Sequence, residues 1–133
     1  MKAREIKNTY EVLNKMSDNK MPYRMGLILA QNKRKIAGLY ADINASLNKL
    51  LMQYAEKNEN GEIVIDESSG SIVLRKKDSE EYWKEQRILL DTDFDVSFSK
   101  ISIEDIEKCD QETRYDALTF EEIYELAEMI EEE

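Results

Sequence analysis

The chain contains no histidine and only one cysteine among its 133 residues. Histidine is the commonest general base and a frequent zinc ligand, so its absence excludes the usual catalytic triads and most zinc and non-haem iron sites. Cys109 has no second cysteine to bridge to, which is typical of a reducing compartment. It also has no histidine that could activate its thiol. We therefore expect a protein without enzymatic activity.

Glycine and long apolar runs are scarce as well. None of the four glycines falls in a GxGxxG or GxxxxGK pattern, so we expect no phosphate-binding loop and no cofactor. No apolar run approaches the roughly 20 residues of a membrane span, so we expect no membrane contact. The opening Met-Lys-Ala-Arg-Glu leads into a polar amphipathic segment, so we expect no secretory signal. With 41% hydrophobic and 36% charged residues, the composition is typical of a globular protein.

Charge is divided unevenly along the chain. Residues 1–57 contain 11 Lys/Arg and 5 Asp/Glu, a balance of +6, and residues 58–133 contain 8 and 24, a balance of −16, which sum to the net charge of −10. Such asymmetry indicates that oppositely charged surfaces can meet. The acidic half could fold back on the basic long helix, or neighbouring copies could meet basic face to acidic face. Alternatively, both are solvated faces that keep the protein soluble.

One long helix, predicted over residues 22–58, organises the chain. Apolar residues recur at steps of three and four from Met25 to Tyr54, with Asn32 in the same row, and this spacing keeps one stripe on one face of an α-helix. Pro22 suits the first turn. An ordinary helical hairpin and an oligomerising coiled coil both fit this pattern. For the second case, the predicted interface residues are Ile36, Leu39, Tyr40, Ile43, Leu47 and Leu50.

The fold class that we predict is α+β, mostly helical. The expected elements are an N-terminal helical hairpin with the long central helix, a small antiparallel β-sheet of two or three strands, and an acidic C-terminal helix. Strands are predicted over residues 62–65, 71–74 and 94–98, from β-rich runs and alternating polarity. The remaining helices are predicted over residues 2–16, 78–90, 103–109 and from 119 onward. We expect one domain, 1–133, made of segments 2–58, 62–99 and 102–133.

Three of the predicted helices have capping signals at their N-termini. Asp78 is followed three residues later by Glu81, and Thr119 is followed at the same spacing by Glu122, as in a capping box. Ser102 precedes a short helical segment and can accept from the backbone three residues on.

A calcium loop is the sharpest local motif match. With Glu56 as position one, Asn58 and Asn60 occupy two further ligand positions, Gly61 the turn position and Glu67 the bidentate position of an EF-hand. Against this, position one is Glu rather than Asp, position three supplies only an amide, and a Ser-Ser-Gly run replaces the exit helix. We favour no metal site, and a helix leading into a hairpin explains the same residues.

The acidic C-terminal helix offers a candidate partner face, which comprises Glu121, Glu122, Glu125 and Glu128. An acidic surface of this kind could imitate a phosphate backbone and occupy the nucleic-acid channel of another protein. Direct binding of nucleic acid is not expected from a chain with a net charge of −10.

The layout resembles small proteins of uncharacterised function encoded by bacteriophages of Gram-positive bacteria. The resemblance lies in IKNTYEVL at 6–13, MPYR at 21–24, LMQYAEKNENG at 51–61 and LTFEE at 118–122. It implies a phage accessory protein that acts in the host cytoplasm or in the virion, and it implies no catalytic or binding residues.

These observations lead to three functional hypotheses. The first is a non-enzymatic phage accessory protein that acts through protein–protein contacts and forms a homo-oligomer. The second is an acidic inhibitor of a host enzyme or nuclease, with an anti-defence role. The third is a small-ligand binder or calcium-binding module.

Overall fold

A computed structural model describes residues 1–132, so Glu133, the last residue of the predicted acidic segment, lies outside the described residues. The described residues form five α-helices and three short 3-10 turns. The α-helices are α1 (Ala3–Lys15), α2 (Tyr23–Tyr54), α3 (Ser79–Leu90), α4 (Ile103–Gln111) and α5 (Phe120–Glu125). The 3-10 turns are Met16–Asp18, Lys76–Asp78 and Ala127–Met129.

The predicted α+β class is wrong, because residues 1–132 contain isolated β-bridges but no β-strand or sheet. The hairpin region shows why. Three extended segments meet in a ring of backbone hydrogen bonds: Glu56 N–H donates to Val73 O (2.8 Å), Val73 N–H to Val64 O (3.0 Å), and Val64 N–H to Glu56 O (2.9 Å). Each segment therefore divides its bonds between two neighbours. Consecutive rungs between one pair of segments, which a ladder needs, do not form.

The predicted third strand is likewise an extended segment without a ladder. Burial alternates as expected, with Phe94, Val96 and Phe98 half-buried and the residues between them exposed. Its backbone, however, pairs only at its start, where Phe94 N–H donates to Met1 O (2.8 Å) and the Met1 amino group donates to Phe94 O (2.9 Å). Alternating polarity indicates an extended, half-buried segment whether or not a neighbouring strand exists.

The long helix is confirmed with a shorter C-terminal end. It spans 32 residues, which at 1.5 Å per residue gives a length of about 48 Å. It ends at Tyr54 because residue 55 enters the ring of extended segments and bridges to Leu74. Gly61 and Gly70, with φ of 79° and 71°, form the turns of this region in a conformation that other residues rarely adopt.

Two of the three N-terminal capping predictions are confirmed. The Ser102 side chain accepts from Asp105 N–H at the start of α4, and Thr119 and Glu122 form a reciprocal capping box on α5. The Asp78 prediction is wrong, since its side chain makes no cap hydrogen bond. The Asp78 carboxylate instead pairs with the Arg75 guanidinium at 3.1 Å. The predicted C-terminal helix is also shorter than expected, because α5 ends at Glu125 and a 3-10 turn follows.

The chain divides into two compact units, Met1–Tyr40 with Asp93–Glu133, and Ala41–Thr92. In the first unit α1 and α2 run antiparallel, since Tyr10 stacks on Tyr40 at 4.0 Å and the Lys33 ammonium donates to Asn14 Oδ1 at 2.9 Å. The second unit contains the end of α2, the ring of extended segments and α3. The single domain predicted from the sequence stays a prediction.

The first unit buries the part of the apolar stripe of α2 that runs from Met25 to Ile36. Its fully buried side chains come from both ends of the chain and include Ile6, Met25, Ile36, Ile101, Leu126 and Met129. Asn32 is also completely buried, and its amide group bonds to the Ser99 backbone at 2.9 Å in both directions. A polar residue in the apolar row is therefore satisfied by the backbone of a single residue.

Candidate functional site: the α2–α3 groove

The second unit carries an open groove between the last part of α2 and α3, which we call the α2–α3 groove. Its volume is about 550 Å³. The α2 wall comprises Ser46, Lys49, Leu50 and Gln53, and the α3 wall comprises Glu85, Ile88, Leu89 and Thr92. Within each wall the residues are three, four and seven positions apart, so each wall is one face of its helix. The groove is therefore a continuous surface of two neighbouring helices.

The floor of the groove is apolar and is only partly covered. Leu50 and Leu89 are half-buried, whereas Ile88 leaves 62% of its surface in water. A single exposed apolar side chain is ordinary on a protein surface. Here Ile88 adjoins two half-covered leucines in one concave surface, which is the arrangement typical of a binding site.

Charges of opposite sign flank this apolar floor. Lys49 is on the α2 wall and Glu85 is on the α3 wall, and neither makes an ion pair within residues 1–132. Burial raises the pKa of the Tyr54 hydroxyl, and the Glu85 carboxylate raises it further. Glu85 is therefore close to Tyr54, which packs edge-on against Tyr82 with ring centroids 6.0 Å apart. These aromatic rings anchor the start of α3 beside the end of α2.

The predicted interface residues divide between the two units. Ile36 and Ile43 are buried within the chain, at 0% and 4% exposure. Tyr40 stacks on Tyr10, and its hydroxyl donates to Glu11 Oε1 at 3.4 Å. Leu39 and Leu47 are half-buried. Of the six predicted residues, Leu50 is the one that lines the α2–α3 groove, and the interface as a whole stays a prediction.

The α3 wall is only partly indicated by the sequence. The spacing of Tyr82, Gln86 and Leu89 indicates one apolar side of α3 and so includes Leu89 of the wall, but Ile88 lies off that row. A bulky apolar residue outside the main stripe is the signal that could have identified a second contact surface on the helix.

Of the four residues predicted for the acidic partner face, only Glu121 and Glu125 form a common surface with carboxylates that are free within residues 1–132. Glu122 is occupied by the capping box, and its second carboxylate oxygen accepts from Asn19 Nδ2 at 3.5 Å. Glu128 lies beyond α5 in a 3-10 turn, where its backbone carbonyl accepts from the Lys100 ammonium. Glu121 and Glu125 do lie close together. Burial raises the pKa of the Glu125 carboxyl, and Glu121 and then Glu5 of α1 raise it further.

Exposed aromatic rings accompany these acids. Phe120 and Tyr124 are on α5, one turn apart, and are 86% and 71% exposed. We call these two aromatic residues with Glu121 and Glu125 the α5 surface. Sequence reasoning selected the acids of this surface but not the rings.

The asparagines and Glu67 of the candidate calcium loop lie in turns, where Asn58 bonds to backbone N–H groups. Asn58 Oδ1 accepts from the N–H groups of Asn60 (2.9 Å) and Glu62 (3.0 Å). Glu67 belongs to a second turn, where Asp66 Oδ1 accepts from Ser68 N–H (2.9 Å). No α-helix follows before Ser79, so the exit helix of an EF-hand is missing. Residues 1–132 contain no cluster of three or more His, Cys, Asp or Glu suited to a metal ion.

The chain matches no protein-family model, no curated protein and no solved structure. Among the described helices, none combines the length and the apolar character needed to cross a membrane.

Proposed function

We propose that this chain is a non-enzymatic phage accessory protein that acts through protein–protein contacts and associates with itself through the α2–α3 groove. The observation that carries the proposal is the exposed Ile88 beside Leu50 and Leu89 in that groove. The phage assignment, with action in the host cytoplasm or in the virion, is supported by the sequence resemblance described above.

Covering the apolar floor of the groove is energetically favourable. Fully burying an isoleucine side chain is worth about 1.5–3 kcal/mol relative to leaving it exposed, and Ile88 is 62% exposed. A second copy that covers the groove removes this surface from water in both chains, together with the exposed parts of Leu50 and Leu89. Polar groups line the ends of the groove, so it has the apolar centre and polar rim of a protein interface.

The test is the mass in solution of an Ile88→Lys variant. Lysine has a better helix propensity than isoleucine, so the substitution places a charge in the groove without weakening α3. The matched control is Ile65→Lys. Ile65 has a similar exposure of 56%, belongs to the same unit and lies outside the groove.

We expect Ile88→Lys to reduce the mass measured by light scattering to that of one chain, 15.6 kDa, and Ile65→Lys to leave the mass of the wild-type protein unchanged. Helix content measured by circular dichroism should be the same in all three proteins. An Ile88→Lys variant that associates as strongly as wild type contradicts the proposal.

A second candidate function is supported by the α5 surface. Burial raises the pKa of the Glu125 carboxyl, and repulsion from Glu121 and Glu5 raises it further, so a cationic partner would relieve that repulsion. Exposed aromatic rings next to charges are typical of the residues that dominate binding energy in protein interfaces. We propose as the alternative that this surface docks on a basic protein face, as an inhibitor of a host enzyme or nuclease would.

This alternative is tested with a lysine-rich peptide as the probe. Glu121→Gln/Glu125→Gln should weaken binding more than the control pair Glu131→Gln/Glu132→Gln, which removes two exposed carboxylates at the end of the chain. Binding should also weaken steeply between about 50 and 500 mM salt, as expected of exposed charges. Equal effects of the two pairs would mean that the peptide responds only to net charge, and they would contradict a specific α5 site.

A further inference from the structure

We infer that the α2–α3 groove is occupied by the same groove of a second copy, related by a two-fold axis that runs along the groove, so that Lys49 of each copy faces Glu85 of the other. This inference rests on the proposed self-association. It adds the identity of the partner surface and the symmetry of the pair.

The two walls of the groove run antiparallel. Tyr54 at the end of α2 contacts Tyr82 near the start of α3, and Ser46 lines the same groove as Thr92, which follows α3. Lys49 and Leu50 therefore lie beside the stretch from Glu85 to Leu89. The apolar residues of the two walls therefore adjoin in the groove.

Two axes can bring one groove face to face with another. An axis along the groove places α2 of one copy over α3 of the other at the same height, so Lys49 meets the partner copy's Glu85, and Leu50 meets its Ile88 and Leu89. An axis across the groove places α2 over α2 and α3 over α3. The α2 wall contains no carboxylate and the α3 wall contains no cation, so the second arrangement leaves both charges unmatched.

The charges therefore select the axis along the groove. Because the contact is isologous, the Lys49–Glu85 pair forms twice. Neither side chain makes an ion pair within the described residues. The Glu85 carboxylate interacts with the Tyr54 hydroxyl, which is neutral and leaves the charge of Glu85 without a cation. Exposed ion pairs contribute little affinity on their own. Charges of the same sign that face each other across an interface destabilise it, however. The two Lys49–Glu85 pairs therefore determine which of the two axes relates the facing grooves.

Charge reversal of the full chain tests this arrangement. Lys49→Glu places two Glu–Glu contacts in a homodimer, and Glu85→Lys places two Lys–Lys contacts there. Each single variant should raise the dimer dissociation constant by about tenfold or more, as expected of replacing two attractive pairs by two repulsive ones. The double variant Lys49→Glu/Glu85→Lys restores both attractive pairs in reversed sense, so its dissociation constant should return to within about threefold of wild type.

Mixing the two single variants is the sharpest arm of the experiment. In the mixed dimer, the glutamate introduced at position 49 of one chain faces the lysine introduced at position 85 of the other. At the second contact the unchanged Glu85 of the first chain would face only the unchanged Lys49 of the second, so both pairs are attractive. Sedimentation velocity with one chain fluorescently labelled should therefore detect a heterodimer at concentrations at which each variant alone is monomeric. Thermal unfolding of each variant, followed by circular dichroism, controls for misfolding.

The outcomes separate this inference from the proposed function. A wild-type chain that stays monomeric overturns both. A wild-type dimer that Ile88→Lys dissociates, but that neither single charge reversal weakens, overturns the two-fold arrangement and leaves groove-mediated association standing. Single reversals that weaken the dimer without rescue in the mixture or in the double variant also overturn the facing of Lys49 and Glu85.

Discussion

Asn32 provides the most exacting test of how the first unit is held together. Its amide is completely buried and bonds twice to the backbone of Ser99, donating from Nδ2 to Ser99 O and accepting at Oδ1 from Ser99 N–H, both at 2.9 Å. This pair fixes the extended segment before Ile101, whose side chain is in the core. Asn32→Ala removes both bonds and leaves two backbone groups of Ser99 without a partner.

The expected cost follows from these two bonds. A typical hydrogen bond contributes about 1 kcal/mol net, and a buried group left unpaired costs about 1–3 kcal/mol. Asn32→Ala should therefore lower the free energy of unfolding by about 2–4 kcal/mol. The control is Asn8→Ala, the same substitution at an exposed helical position of the same unit. It should change the free energy of unfolding by less than about 0.5 kcal/mol.

Asn32→Asp adds a dependence on pH. The aspartate can still accept from Ser99 N–H, but its second oxygen faces the Ser99 carbonyl and cannot donate unless protonated. Burial and this carbonyl raise the folded-state pKa of the new carboxyl above its unfolded value of about 3.9. The folded state then retains the proton longer than the unfolded state. Stability relative to wild type therefore falls as pH rises from about 4 through the folded pKa.

Urea unfolding followed by far-ultraviolet circular dichroism measures both effects. Fluorescence is unsuitable, because the single tryptophan, Trp83, belongs to the other unit. If Asn32→Ala costs no more than Asn8→Ala, the Asn32–Ser99 pair does not stabilise the first unit. If Asn32→Asp shows the same deficit at pH 4 and pH 7, the carboxyl is not confined against the Ser99 carbonyl.

Three further predictions concern the C-terminal part of the chain. Thr119→Ala removes the capping box and should lower the free energy of unfolding by about 1 kcal/mol. The control Thr113→Ala, at an exposed turn, should leave the free energy of unfolding measured in urea almost unchanged. Equal effects of the two substitutions would contradict the cap. Cys109 is 1% exposed, and burial raises the pKa of its thiol, so a thiol reagent should modify it far more slowly in the folded than in the urea-unfolded chain; equal rates would refute its burial. Glu125→Gln should stabilise the chain at pH 7 but not below about pH 4. Because the pKa of Glu125 is raised in the folded state, the wild-type protein loses stability as pH rises from the unfolded-state pKa of this carboxyl to its folded-state pKa. A gain in stability that does not depend on pH would contradict this.

The helices were predictable because their signals are local. The spacing of apolar residues identified α2, and the side chains of Ser102 and Thr119 form the N-terminal caps that their positions predict. Asp78 satisfies the same pattern but pairs with Arg75. The helix still begins at Ser79, so the pattern predicts the helix start, but the side-chain cap forms only where no nearby cation competes for the carboxylate.

The absence of a sheet was not predictable from the same patterns. Residues 62–65 and 71–74 are β-rich and are extended, as expected, but the number and order of their hydrogen-bond partners depend on residues distant in sequence. The backbone of Glu56 bonds to both Val64 and Val73, and these bonds take the place of further rungs of a regular hairpin. The turn-like sequence Asn60-Gly61 does not indicate that a third segment will bond to both arms.

The candidate site was half predictable for a related reason. Leu50 belongs to the apolar row of α2, so the sequence indicates one wall of the groove. The other wall depends on which face of α3 meets α2, and Tyr82 determines this through its contact with Tyr54. That contact also leaves Ile88 exposed and Glu85 across the groove from Lys49. No local pattern encodes such a register.

The central claim is that the apolar groove associates two copies, and the most direct test is the mass of the wild-type chain in solution. Light scattering across a concentration series, repeated from about 50 to 500 mM salt, distinguishes an apolar interface from one held mainly by charge. We expect a dimer of twice 15.6 kDa that persists at the highest salt. A mass of one chain at every concentration and salt would contradict it.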